Sequence, residues 1–155
     1  MAGAEGIYVD PSALLKLYLK EPESRAMAAW RARTRGPLPV TQHGRLELAN
    51  GIALAAFRGF ITPAIQLAAL GALDDDFTQG RYAPADILWR ATLQRAAELG
   101  REHTTTLGCR TLDILHVASA LELGLKKFLT FDQRQQQLAR AAGLRLLVPP
   151  GRATG

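Results

Sequence analysis

Cysteine is nearly absent from this 155-residue chain, in which Cys109 stands alone. No intrachain disulfide can form and no zinc site can be built from cysteine ligands, which suits a reducing cytoplasm. Long apolar runs are absent as well. None approaches the roughly 18 residues that cross a bilayer, and even the Ala- and Leu-rich residues 46–57 carry Glu47 and Asn50. Residues 1–6 have neither the cationic start nor the apolar core of a secretory leader. The chain thus reads as a soluble, unexported protein. Internal repeats and low-complexity segments are missing, and the length suits one domain with a single well-buried core. That domain is expected over residues 1–148, with a flexible tail at 149–155.

Lysine is scarce. Of the 19 cationic residues 15 are Arg and 4 are Lys, and the formal net charge is +5. Arg pairs bidentately with phosphate, so a polyanionic substrate is compatible with the balance without being demanded by it. No aromatics are interleaved with the cations, so base stacking of the single-strand-binding kind is not indicated. No Ser-His-Asp or Cys-His order is tied to strand ends, which leaves nucleophilic catalysis unsupported.

Short β-prone stretches alternate with longer helical patterns along the chain. Residues 7–9, Ile-Tyr-Val, read as a buried strand running into Asp10, which caps a helix opened by Pro11. A second helix holds Met27 and Trp30 and ends near Arg31, Arg33 and Arg35. Residues 38–41 form a second strand, and an apolar helix follows that contains Glu47 and stops near Gly59. Another helix starts at Thr62-Pro63 and runs to Asp74, Asp75 and Asp76, read as solvated because three consecutive positions face three directions. Tyr82-Ala83 is a marginal strand. Residues 85–100 are predicted as helix and residues 101–110 as a polar connection. Thr111 is the predicted cap of an apolar helix holding Asp113 and His116 and ended by Gly124. Residues 128–131 form a strand that runs into Asp132, a polar-faced helix spans 133–142, and residues 144–148 supply the last strand. Such alternation implies an α/β fold, a three-layer α/β/α sandwich around a short, mostly parallel sheet.

Asp10 and Asp132 each follow a buried strand, Asp113 opens an apolar helix, and Glu47 is set among apolar helix positions. Singly, each has an ordinary reading as a cap or a first-turn acid. Together they can meet at one edge of the sheet, where open α/β sheets place their chemistry. Two unit charges about 4 Å apart repel by roughly 4 kcal/mol at an effective dielectric of about 20, so four carboxylates in one cleft call for a cation. Hard oxygen donors without cysteine select Mg²⁺ or Mn²⁺, and the chemistry that suits such a site is phosphodiester hydrolysis. Ser12 and Thr130, each two residues from an acid, are candidates to hold a water or the scissile phosphate. Arg110 and Arg134, beside the third and fourth acids, are candidates for phosphate contacts. His116 shares a helix face with Asp113 but is flanked by apolar residues, and is read as a buried support for the strand bearing Asp10.

Residues 7–12 (Ile-Tyr-Val-Asp-Pro-Ser), 46–49 (Leu-Glu-Leu-Ala), 112–118 (Leu-Asp-Ile-Leu-His-Val-Ala) and 128–134 (Phe-Leu-Thr-Phe-Asp-Gln-Arg) resemble, in order, the four signature segments of the PIN-domain ribonucleases. The nearest subgroup is the VapC toxins of bacterial type II toxin–antitoxin pairs. The resemblance implies that Asp10, Glu47, Asp113 and Asp132 are the acidic quartet that binds Mg²⁺ or Mn²⁺ and cuts RNA, leaving a 3′-hydroxyl and a 5′-phosphate. It also implies a homodimer and a small VapB-like antitoxin as partner. Pro11 departs from the small polar residue usual between the first acid and the hydroxyl. A PIN-like RNA-processing nuclease or non-catalytic RNA-binding module is the alternative. A haloacid-dehalogenase-like phosphatase needs a second Asp where Ser12 stands. A receiver-like signalling domain needs paired acids at the first strand and a lysine near the last, and neither is present.

Overall fold

Alternation along the strands organises this protein into layers. The computed structural model describes residues 3–152. In β1 (Ile7–Val9), Ile7 and Val9 face one core and Tyr8 the other, as the two-residue period of a strand requires. The strand is buried on both faces, so all three side chains can be apolar or aromatic. β4 (Lys127–Leu129) pairs with β1 in parallel, with Tyr8 opposite Phe128 and Val9 opposite Leu129. β5 (Arg145–Leu146) extends that sheet in parallel, giving the order β1-β4-β5. β2 (Leu38–Thr41) and β3 (Tyr82–Ala85) form a second parallel pair. This pair lies beside β1, and the segments just ahead of β1 and β2 are joined by a Gly3–Arg35 bridge and by an Ala4 N–H bond of 2.7 Å to the Arg35 carbonyl.

Helices cover both faces. α1 (Pro11–Leu14), α2 (Ser24–Arg33), α3 (Gln42–Phe57) and α4 (Pro63–Thr78) bury Leu14, Met27, Leu48, Ile52 and Leu73 against Ile7, Val9 and Leu129. α5 (Trp89–Leu107), α6 (Thr111–Glu122) and α7 (Gln133–Ala141) bury Leu99, Val117, Ala118 and Leu138 against Tyr8 and Phe128. Those two aromatic rings stack with centroids 5.5 Å apart. The result is the α/β/α sandwich expected from the alternation. No helix among the described residues is long and apolar enough to cross a membrane.

Several boundaries differ from the sequence reading. Residues 85–88 are not helical, because β3 carries its pairing through Pro84 to Ala85 opposite Thr41. The polar connection predicted at 101–110 is helix as far as Leu107, and Gly108 closes it in the left-handed conformation at φ 67°. The three Thr there cost only a few tenths of a kcal/mol each as helix residues, and Leu107 packs on the second core. Arg110 rather than Thr111 is the cap of α6, and its side chain does not bond the helix end. The fourth strand stops at Leu129, and the last strand shortens to two residues. Asp76 is not simply solvated, since it accepts from the Tyr18 hydroxyl and the Arg81 guanidinium, while Asp74 pairs with Arg45. Of the expected tail, Arg152 stands near Glu23 and over the Phe131 ring. Residues 153–155 lie outside the described residues.

Candidate active site

The carboxyl ends of β1 and β4 and the first turns of α1, α6 and α7 surround a cleft of about 730 Å³ whose lining includes Asp10, Glu47, Asp113 and Asp132. The four acids come from four separate places in the chain. Asp10 is buried and caps α1, where its Oδ2 accepts from the Ser12 N–H at 3.0 Å and from the Ser12 hydroxyl. The missing N–H of Pro11 at the first helical position leaves those two donors unopposed. Asp132 caps α7 in the same manner, accepting from the Gln135 N–H at 2.9 Å. Asp113 occupies the first turn of α6, and Glu47 projects from α3.

Arg110 lies across the cleft. Its Nε donates to Asp113 Oδ2 at 2.9 Å and its Nη2 stands 3.7 Å from Asp132 Oδ2. Burial of the Asp113 carboxyl, with Asp10 and Asp132 adding negative charge, pushes its pKa up against the opposing pull of Arg110. Glu47 is held by His116, whose Nε2–H donates to Oε2, while Nδ1 pairs with the Tyr8 hydroxyl at 2.6 Å. Burial would lower the His116 pKa, but the Glu47 hydrogen bond and the charges of Asp10, Glu47 and Asp113 outweigh it and raise it. His116 thus braces Glu47 against β1, the supporting place expected of it. The Cys109 thiol is pushed up by burial and by Asp113 and Asp132, which leaves it protonated and a poor nucleophile.

Ser12 and Arg110 share the cleft with the acids, and Thr130 and Arg134 do not. The Thr130 side chain is buried, and its Oγ1 accepts from the Asp132 N–H at 3.2 Å. Its position before the cap turns the hydroxyl into the start of α7 and away from the cleft. Arg134 is exposed on the next helical position and approaches Gly108 instead. Lys16, Glu21, Asn50 and Phe131 also line the cleft and carried no sequence signal beyond their type. Gln135 was missed too. It is buried, and its Nε2 donates to Asp10 Oδ1 at 2.8 Å. Its spacing from Asp132, three residues after an N-cap, was the available clue.

Four carboxylates from four elements, at the carboxyl ends of parallel strands, define an α/β domain with an acidic cleft. The family model of the PIN domain matches residues 7–141, and the chain belongs to that family. It is 29% identical over 145 residues to Ribonuclease VapC46 of Mycobacterium tuberculosis, a match covering 92% of this chain and 97% of that protein. In fold it is similar to a chain in the crystal structure of FitAcB from Neisseria gonorrhoeae. The TM-score is 0.67 at 18% identity, over 92% of this chain and 97% of that one.

Among the described residues, no three His, Cys, Asp or Glu side chains stand close enough to enclose an ion directly. Glu47 is drawn toward His116, and Asp113 and Asp132 toward Arg110. The donor chemistry nevertheless fits a hard divalent cation. The cleft presents carboxylate oxygens from four residues, and two of those residues already have a guanidinium beside them.

Proposed function

We propose that this protein is a Mg²⁺- or Mn²⁺-dependent endoribonuclease and the toxin of a type II toxin–antitoxin pair. The observation that carries this reading is the gathering of Asp10, Glu47, Asp113 and Asp132 around one cleft. Likeness to a relative named as a ribonuclease along nearly its full length supports it. The four acids would hold the cation, which supplies Lewis-acid activation and charge neutralisation at a phosphodiester.

The chain's own residues have distinct tasks. Ser12 fixes the Asp10 carboxylate at the end of β1, and His116 with Tyr8 fixes Glu47. Arg110 is exposed, and its guanidinium can exchange the Asp113 and Asp132 carboxylates for a phosphate oxygen of RNA. That exchange would place a positive charge beside the bond to be cut. With the cleft open to solvent at Arg110 and Leu112, an extended polynucleotide can reach the acids.

A VapB-like antitoxin and a homodimer belong to the same proposal. Phe57 and Phe60, at the α3–α4 turn, are 87% and 76% exposed and offer apolar surface for a partner chain. A light-scattering mass of one chain at micromolar concentration would contradict the homodimer. The activity itself is tested by incubating purified protein with total RNA and Mg²⁺ or Mn²⁺, with and without EDTA. Cleavage leaving 3′-hydroxyl ends and lost on chelation is expected, whereas cleavage that persists in EDTA would overturn the metal-dependent reading.

A further inference from the structure

The side chain of Gln135 is tied to the acidic cleft more closely than its place on a polar helix suggests. Its backbone N–H donates to Asp132 Oδ1 at 2.9 Å, and its Nε2 donates to Asp10 Oδ1 at 2.8 Å and reaches the Asp113 carbonyl at 3.3 Å. One buried residue therefore touches three of the four acids, which come from the end of β1, the first turn of α6 and the cap of α7.

The orientation of the amide follows from its neighbours. Asp10 Oδ1 and the Asp113 carbonyl both accept hydrogen bonds, so the NH₂ group must face them. In a capping box, the third helical residue sends its side chain back to the N–H of the cap. Here the Thr130 hydroxyl occupies that N–H at 3.2 Å, and the Gln135 side chain is free to cross to Asp10. Asp10 Oδ2 is already taken by Ser12, so Ser12 and Gln135 between them hold both carboxylate oxygens.

We propose that Gln135 is a positioning residue that sets the Asp10 carboxylate and the spacing of Asp10, Asp113 and Asp132 for cation binding. This rests on the reading of the four acids as a divalent-cation site. A neutral amide suits the task, because it bonds a carboxylate without competing with the cation as a fixed charge would. Groups that orient metal-binding side chains are worth about 10- to 100-fold in metal affinity.

The test is Mn²⁺ binding to the RNA-free protein by calorimetry, for the parent chain, Gln135→Met and the control Gln137→Met on an exposed position of the same helix. Methionine keeps the length and burial of Gln135 and removes its side-chain donors to Asp10 and the Asp113 carbonyl, while the backbone N–H to Asp132 stays. The expected result is a Kd raised about 10- to 100-fold in Gln135→Met, with Gln137→Met unchanged. Gln135→Asn, which keeps an amide but cannot span to Asp10, should weaken Mn²⁺ binding in the same direction and stands in if the Met variant does not fold. Parent-like affinity in a folded Gln135 variant overturns the positioning role and leaves the metal site intact. Failure of both variants to fold would make Gln135 a structural residue and overturns it as well. Absence of Mn²⁺ binding in the parent chain overturns the metal reading itself, and this role with it.

Discussion

Pro11 stands between Asp10 and Ser12 without separating them, because a proline at the first helical position leaves the Ser12 N–H and hydroxyl aimed at the cap. Ser12→Ala should therefore leave the fold intact and lower the rate of RNA cleavage about 10-fold, since Asp10 keeps its backbone donor and loses its hydroxyl. An unchanged single-turnover rate would remove Ser12 from the site. His43 has a different consequence. Burial, together with the neighbouring charge of His116, lowers its pKa to about 4, so the folded protein holds it neutral. The unfolded chain takes up its proton below about pH 6.5, so the stability contributed by neutral His43 is complete above that pH and is lost as pH falls toward 4. Urea midpoints between pH 7 and 4.5 should fall less steeply for His43→Gln than for the parent, and parallel slopes would contradict the assignment. At this scale the acids were legible because strand ends and helix starts announce themselves in sequence. Gln135 was not, since its partner Asp10 lies 125 positions away and only the packed sheet brings them together. Thr130 and Arg134 stand beside Asp132 in sequence without lining the cleft, because closeness in sequence does not set a side chain's direction.

Elements were read correctly wherever an apolar pattern and a stop residue agreed, as in α6 with Gly124 and in β1 with Asp10. The reading broke down at α5, where residues 101–107 with their three Thr looked like a connection and tertiary packing of Leu107 on the second core overrode them. The real stop is Gly108, whose positive φ sets up Cys109 and Arg110 ahead of α6. Gly108→Ala should cost about 1–2 kcal/mol, the strain of a left-handed residue with a Cβ, measurable by urea denaturation. Because that turn carries Arg110 toward Asp113, the same substitution should also weaken RNA binding; retention of full stability and affinity would show that the turn is not strained. Thr41 offers a comparison on the other side of the cleft. It caps α3 by accepting from the Gly44 N–H at 3.0 Å, so Thr41→Ala should cost about 1 kcal/mol and loosen the helix that carries Glu47.

At the scale of the whole molecule, one cleft gathers Asp10, Glu47, Asp113 and Asp132 while the formal net charge is +5. That contrast suits a protein drawn to a polyanion whose chemistry needs a cation at the point of contact. The three-layer architecture was legible in the alternation of strands and helices. What could not be read was the split into a three-stranded sheet and a separate β2–β3 pair, which depends on pairing between strands of only two to four residues. Binding of Mn²⁺ to the folded state alone should raise thermal stability in proportion to the logarithm of its concentration, and EDTA should reverse the gain. The central claim, that the four acids act as one metal-dependent site on RNA, is tested most directly by single-turnover cleavage of a labelled RNA in Mn²⁺ by the parent chain and by Asp10→Asn, Glu47→Gln, Asp113→Asn and Asp132→Asn, each checked for folding. Each substitution should slow cleavage by about 100-fold or more, as removal of groups acting as one unit does; a folded variant that cuts at the parent rate would contradict the claim.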